Sequence, residues 1–150
     1  MKIEEAIKQR RFTDHYQKAI INLLYTGNWV RDEQILLLKQ YDILPQHFNV
    51  LRIIKGRHPE PISPGEIKEV LIDQSNDLTR LLDKLERKGL IKRRLCPVNR
   101  RKMDITLSMK GIKLTDDTTQ SMEPFVKGLK GRITDKEAEM LSKLLDKMRG

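Results

Sequence analysis

The 150-residue chain has a single cysteine, Cys96, which rules out an internal disulfide and any metal site built on several thiolates. Aromatic residues are scarce, three Phe, three Tyr and Trp29, so leucine and isoleucine must fill whatever core exists. No apolar run approaches the roughly 18 residues of a membrane span. The opening Met1-Lys2-Ile3-Glu4-Glu5 is charged where a secretory leader would be apolar. A soluble, cytoplasmic protein with no membrane partner is expected. Catalytic signatures are missing too. There is no Ser-His-Asp set and no phosphate-cradling glycine loop, and His15, His47 and His58 have no second ligand at helical spacing. No enzyme activity, cofactor or metal is expected.

What the chain does have is positive charge in one place. Between Arg80 and Lys113 stand twelve Lys or Arg against three acids, Asp83, Glu86 and Asp104, so this segment holds the whole net charge of +9. The rest of the chain is balanced. A concentrated excess beside neutral flanks is the footprint of a surface that binds a polyanion, whereas a merely solvated face mixes both signs.

The remaining composition, 38 % hydrophobic and 34 % charged with leucine prominent, points to helices. Apolar spacing reads as helix from about Ile3 to Tyr25, and again from Trp29 to Tyr41, with Gly27 leaving open whether these are one helix or two. Pro45 suits the first turn of a helix running through Ile54, which Gly56 is expected to stop. Ile62 can supply a very short strand, and Ser63-Pro64-Gly65-Glu66 has the residues of a capping box. After a turn near Ile72-Asp73-Gln74, Leu78, Leu81, Leu82 and Leu85 mark the clearest helix, closed by Gly89. Alternating runs Ile91–Leu95 and Met103–Leu107 flank a basic loop and read as a hairpin. A helix from Ser108 or Met109 should extend past Met122 until Pro124 bends or breaks it. A last one opens with the box Thr134-Asp135-Lys136-Glu137.

Two short helices, a tight turn and a basic hairpin make a winged helix-turn-helix. The fold class expected is mainly α with a small β-hairpin wing, flanked by N- and C-terminal dimerisation helices. The expected division is 1–43 for N-terminal dimerisation helices, 44–111 for the DNA-binding unit and 112–150 for C-terminal dimerisation helices. The Leu face of the second helix packs inward, leaving Gln74, Ser75, Asn76, Thr79 and Arg80 for a major groove wide enough to admit it. Gln74 or Ser75 could instead cap the helix. In the hairpin, Arg100 and Arg101 stand where an arginine can enter a narrow minor groove, with Arg94 and Lys102 beside them. Arg100 is favoured for DNA, and Arg101 for bracing the wing or holding phosphate.

Three blocks resemble the MarR family of bacterial regulators: Leu44-Pro45-Gln46-His47-Phe48-Asn49-Val50-Leu51; Leu78-Thr79-Arg80-Leu81-Leu82-Asp83-Lys84-Leu85-Glu86-Arg87-Lys88-Gly89-Leu90-Ile91; and Asn99-Arg100-Arg101 followed by Leu107-Ser108-Met109-Lys110-Gly111. The family's wing usually reads Asp-x-x-Asp-Arg-Arg. Here Cys96 and Asn99 take the acidic places, which removes the carboxylates of the wing's usual salt bridges and leaves both arginines. The resemblance implies an obligate homodimer on a near-palindromic operator in double-stranded DNA, acting as a repressor. It also implies release by a small phenolic or lipophilic effector or by an oxidant. Tyr16, Tyr25, Trp29 and Phe48 could line an effector crevice or be ordinary packing. Cys96, near Arg93 and Arg94, could be reactive, but the N-terminal cysteine of peroxide-sensing members is absent. The alternative from another class is a winged-helix module that binds protein, which the concentrated charge disfavours.

Overall fold

The computed structural model describes all 150 residues, eight helices and one hairpin. Helix α1 covers only Ile3–Ala6, and α2 runs from His15 to Leu38. The single helix expected from Ile3 to Tyr25 is therefore broken. Lys8 takes a left-handed backbone at φ 54°, and the Asp14 side chain then starts α2 by accepting the Gln17 N–H at 2.8 Å. At Gly27 the outcome is continuity, since α2 passes through it unbroken. A 3-10 turn, Lys39–Tyr41, leads into α3, Pro45–Arg57. Gly56 does not stop α3. The helix runs through it and ends ahead of His58-Pro59, because a proline disfavours helical backbone in the residue before it.

Helix α4, Pro64–Val70, opens with the expected box: the Ser63 N–H donates to Glu66 Oε2 at 2.9 Å, and the Glu66 N–H returns to Ser63 Oγ. Helix α5, Leu78–Arg87, turns Leu78, Leu81, Leu82 and Leu85 into the core. Gly89 at φ 70° closes it in the conformation glycine tolerates best. Strands β1, Ile91–Leu95, and β2, Met103–Leu107, pair antiparallel from Ile91 opposite Leu107 to Leu95 opposite Met103. Ile62 adds a single bridge to Ile105.

The core lies where α3, α4, α5 and the hairpin meet, with Leu51, Ile54, Ile67, Leu85, Leu90 and Ile105 fully enclosed. Leu38 brings the end of α2 into it. Helix α6, Met109–Ser121, lies across α3 and α2. It ends one residue short of Met122 rather than beyond it, and α7, Glu123–Lys130, takes Pro124 into its first turn, where the missing N–H does no harm. Helix α8, Asp135–Arg149, starts at the expected Thr134–Glu137 box and touches almost nothing, with only Leu145 partly covered. No helix is long and apolar enough to cross a membrane.

Candidate nucleic-acid interface

The approach to α5 is a turn held from three sides. Asn49 of α3 accepts the Ile72 N–H at 3.1 Å, and Lys68 of α4 donates to the carbonyls of Gln74 and Asn76. Asp73 accepts from both the backbone and the hydroxyl of Ser75, which keeps its carboxyl below the usual range. Asp77 then caps α5 by accepting the Arg80 N–H.

This turn uses up part of the polar set anticipated for base contact. Gln74 donates to Leu71 O at 3.1 Å, and Asn76 donates to Asp73 O at 3.3 Å. Their amides hold the turn in shape, and Asp77 does the capping considered for Gln74 or Ser75. Thr79 and Arg80 remain fully outward on α5, Arg80 leaning on Asp77 at 3.3 Å.

The wing is joined to α5 by a guanidinium that the sequence reading passed over. Arg93 of β1 donates through Nη2 to Asp83 Oδ1 at 2.8 Å and through Nε to Glu86 Oε2 at 2.9 Å. The Glu86 carboxylate raises the Arg93 pKa further, and Arg93 in turn lowers that of Glu86. The signal was present in the sequence: Asp83 and Glu86 lie three apart on one helix face, and Arg93 is on an adjoining strand. Arg101, expected either to brace the wing or to hold phosphate, does not brace it: it is exposed and makes no ion pair, as is true of Arg100 and Arg94. With Asn99 in an acidic place, its Oδ1 accepts the Arg101 N–H at 3.1 Å and shapes the loop instead of binding a guanidinium. Lys102 reaches back to Glu66 at 3.7 Å.

The suggested effector residues do not converge. Phe48 is turned into the core, Tyr16 stands 82 % exposed, and Tyr25 is also on the surface of α2. Trp29 packs on Phe125 of α7 with ring centres 5.5 Å apart and lines a hollow of about 200 Å³. A different crevice, about 390 Å³, separates α2 from the turn before α5, and Arg31, Gln34, Gln46, Asn49, Ile72 and Asp73 line it. Four of its ten lining residues are amides and none is aromatic, so no aromatic pattern in the sequence marks it.

A leucine-faced helix after a tight turn, braced through Arg93 to a hairpin whose Arg94, Arg100 and Arg101 make no ion pair, defines a winged helix-turn-helix DNA-binding protein. Residues 43–103 match the family described as the MarR family. The chain is 24 % identical over 136 residues to the HTH-type transcriptional regulator MhqR of Bacillus subtilis, covering 91 % of this chain and 92 % of MhqR. Wild-type MarR of E. coli superposes with a TM-score of 0.66 at 29 % identity, over 85 % of this chain and 94 % of MarR. The S. aureus MepR–DNA complex shares the fold, with a TM-score of 0.78 at 24 % identity over 92 % and 97 %. The winged unit, residues 43–103, is thus a MarR-family domain, and the members of that family are DNA-binding transcription regulators and not enzymes.

Proposed function

We propose that this regulator is a cytoplasmic repressor that binds a near-palindromic operator as a homodimer and releases it when a small lipophilic or phenolic effector binds. In this reading residues 44–111 read the DNA, and residues 1–43 and 112–150 hold two copies together. Thr79, Arg80, Ser75 and the faces of Gln74 and Asn76 left by the turn meet the major groove. Arg100 enters the minor groove, with Arg94, Arg101 and Lys102 on phosphates. The effector takes the crevice beside Arg31, against the turn that presents α5.

One observation carries the reading: the wing presents exposed arginines that make no ion pair, while α2 and α8 leave whole apolar faces uncovered. Arg94, Arg100 and Arg101 are exposed on the wing, whereas Met140, Leu141, Leu144 and Met148 of α8 and Ile20, Leu23, Leu24 and Tyr25 of α2 are exposed apolar groups. A soluble monomer rarely leaves so much apolar surface uncovered. A two-fold partner covers it and places two recognition helices about one DNA turn, roughly 34 Å, apart. The fold shared with MepR on DNA supports the same docking.

Selection of bound duplexes from random DNA, with sedimentation of the complex, is the test. An inverted repeat bound by two copies is expected. A motif without two-fold symmetry, or a single copy per site, overturns the homodimeric operator.

A further inference from the structure

We propose that Val98 is an apolar DNA contact at the tip of the wing, packing on the deoxyribose walls of the minor groove beside Arg100; this rests on the operator-binding reading above. Val98 is 96 % exposed, the highest value among the large hydrophobic residues uncovered in the chain. Isolated apolar side chains on a surface are ordinary. This one stands where loop chemistry favours Gly, Asn, Asp or Ser, between cations that draw a polyanion to it, Arg94 on one side and Arg100, Arg101 and Lys102 on the other.

The loop that carries it is closed and shaped before any ligand arrives. The Cys96 N–H donates to Lys102 O at 2.8 Å, the Lys102 N–H donates to Asn99 O at 2.8 Å, and Asn99 Oδ1 holds the Arg101 N–H. Pro97 fixes the backbone immediately before Val98, and a β-branched side chain has few rotamers to lose. Docking it therefore costs little ordering entropy. No other residue of the subunit covers the side chain, so its apolar surface is free for a partner. The minor groove offers a narrow slot with C–H-rich sugar walls, and its width varies with sequence, so a rigid valine there senses groove shape instead of base identity.

The test uses the full chain and a duplex recovered with it from random DNA, comparing Val98→Ser, Val98→Thr and Arg100→Ala. Val98→Ser should weaken binding roughly three- to tenfold through lost apolar burial. The slope of log affinity against log salt should stay unchanged, because no phosphate contact is lost. Hydroxyl-radical cleavage, which samples sugar hydrogens in the minor groove, should lose its protection at the site's flanks. Val98→Thr, which keeps the shape, should fall between the two proteins. Wild-type affinity and footprint in Val98→Ser would overturn the proposal. So would a drop in salt slope matching that of Arg100→Ala, since the effect would then run through charge. If the wild-type chain recovers no duplex at all, the operator reading falls, and this proposal with it.

Discussion

Arg93 and Glu86 meet across 2.9 Å, Nε to Oε2, and so fasten the first strand of the wing to the last turns of the recognition helix. Asp83 takes the same guanidinium from one turn earlier. The wing therefore has a fixed angle to α5. Arg93→Met should loosen that angle and weaken operator binding about tenfold, with little change in melting temperature, because the brace lies at a partly exposed surface. Reversing the pair, Arg93→Glu with Glu86→Arg, should restore part of the affinity. No rescue in titrations of labelled operator would assign Arg93 a phosphate contact instead.

Arg100→Ala should cost about 1–3 kcal/mol of operator binding and reduce the salt slope by about one, without unfolding the protein. For the wild type, affinity should fall on the order of 10³-fold between low and moderately high salt. Binding isotherms at several salt concentrations, beside thermal melts, separate contact from stability. An unchanged affinity would move the minor-groove role to Arg101.

His47 sets a pH dependence of stability. It is buried, its Nδ1 accepts the Leu44 N–H at 3.1 Å, and Asp42, Lys84 and Lys88 are the charges around it. Burial, aided by the two lysines and opposed by Asp42, pushes its pKa down to about 4 from 6.5. Between those values the unfolded chain binds the extra proton and the folded one does not. Stability is thus complete above pH 6.5 and declines as pH falls toward 4, by about 2 kcal/mol at pH 5. Urea titrations at pH 7 and pH 5 should show the loss, and His47→Gln should flatten it. An equally steep decline in the variant would assign the effect to other groups.

Gly111 is irreplaceable for a different reason. A Cβ built there would lie 1.9 Å from the Leu90 carbonyl oxygen, a backbone atom that cannot step aside. Gly111→Ala should destabilise the fold by about 1–3 kcal/mol or more, while Gly128→Ala, with open space around its Cβ inside α7, should be neutral or stabilise by up to about 1 kcal/mol. Denaturant midpoints of the two variants settle the comparison.

Deleting the chain from Thr134 onward removes α8 and its exposed Met140, Leu141, Leu144 and Met148. Self-association and operator affinity should be lost together, while circular dichroism still reports a folded winged unit. A truncated protein that sediments as a dimer would place the interface elsewhere.

The winged unit was legible in the sequence because each of its signals is local. The leucines of α5 at helical spacing, the alternation in β1 and β2, and the Ser63–Glu66 and Thr134–Glu137 boxes each specify an element within a few residues. Punctuation by glycine was less informative. Gly27 and Gly56 have helical neighbours on both sides and merely weaken the helix, so proline at position 59 decided where α3 stops. The break near Lys8 was missed because Ile3, Ala6 and Ile7 keep helical spacing, although the Asp14–Gln17 cap was there to be read. Site residues were identified by type but not by use. Whether Gln74 and Asn76 face a ligand or their own turn depends on carbonyls at Leu71 and Asp73, and whether Arg93 or Arg101 braces the wing depends on how β1 packs on α5. Both are tertiary facts.

Beyond Gly89 the end of the recognition helix is sewn to the start of α6. Ser108 Oγ donates to Gly89 O at 2.6 Å, the Ser108 N–H donates to Leu90 O at 3.0 Å, and Lys110 Nζ donates to Lys88 O at 2.9 Å. Lys88 also clasps Asp42, just past the 3-10 turn that follows α2. Helix α5 is thus a blade tied to its handle, its C-terminal end bonded both to the start of α6 and to the segment that follows α2. In the proposed homodimer the gap between two blades is set by how the handles cross, so a shift there would change their spacing against the pitch of the DNA.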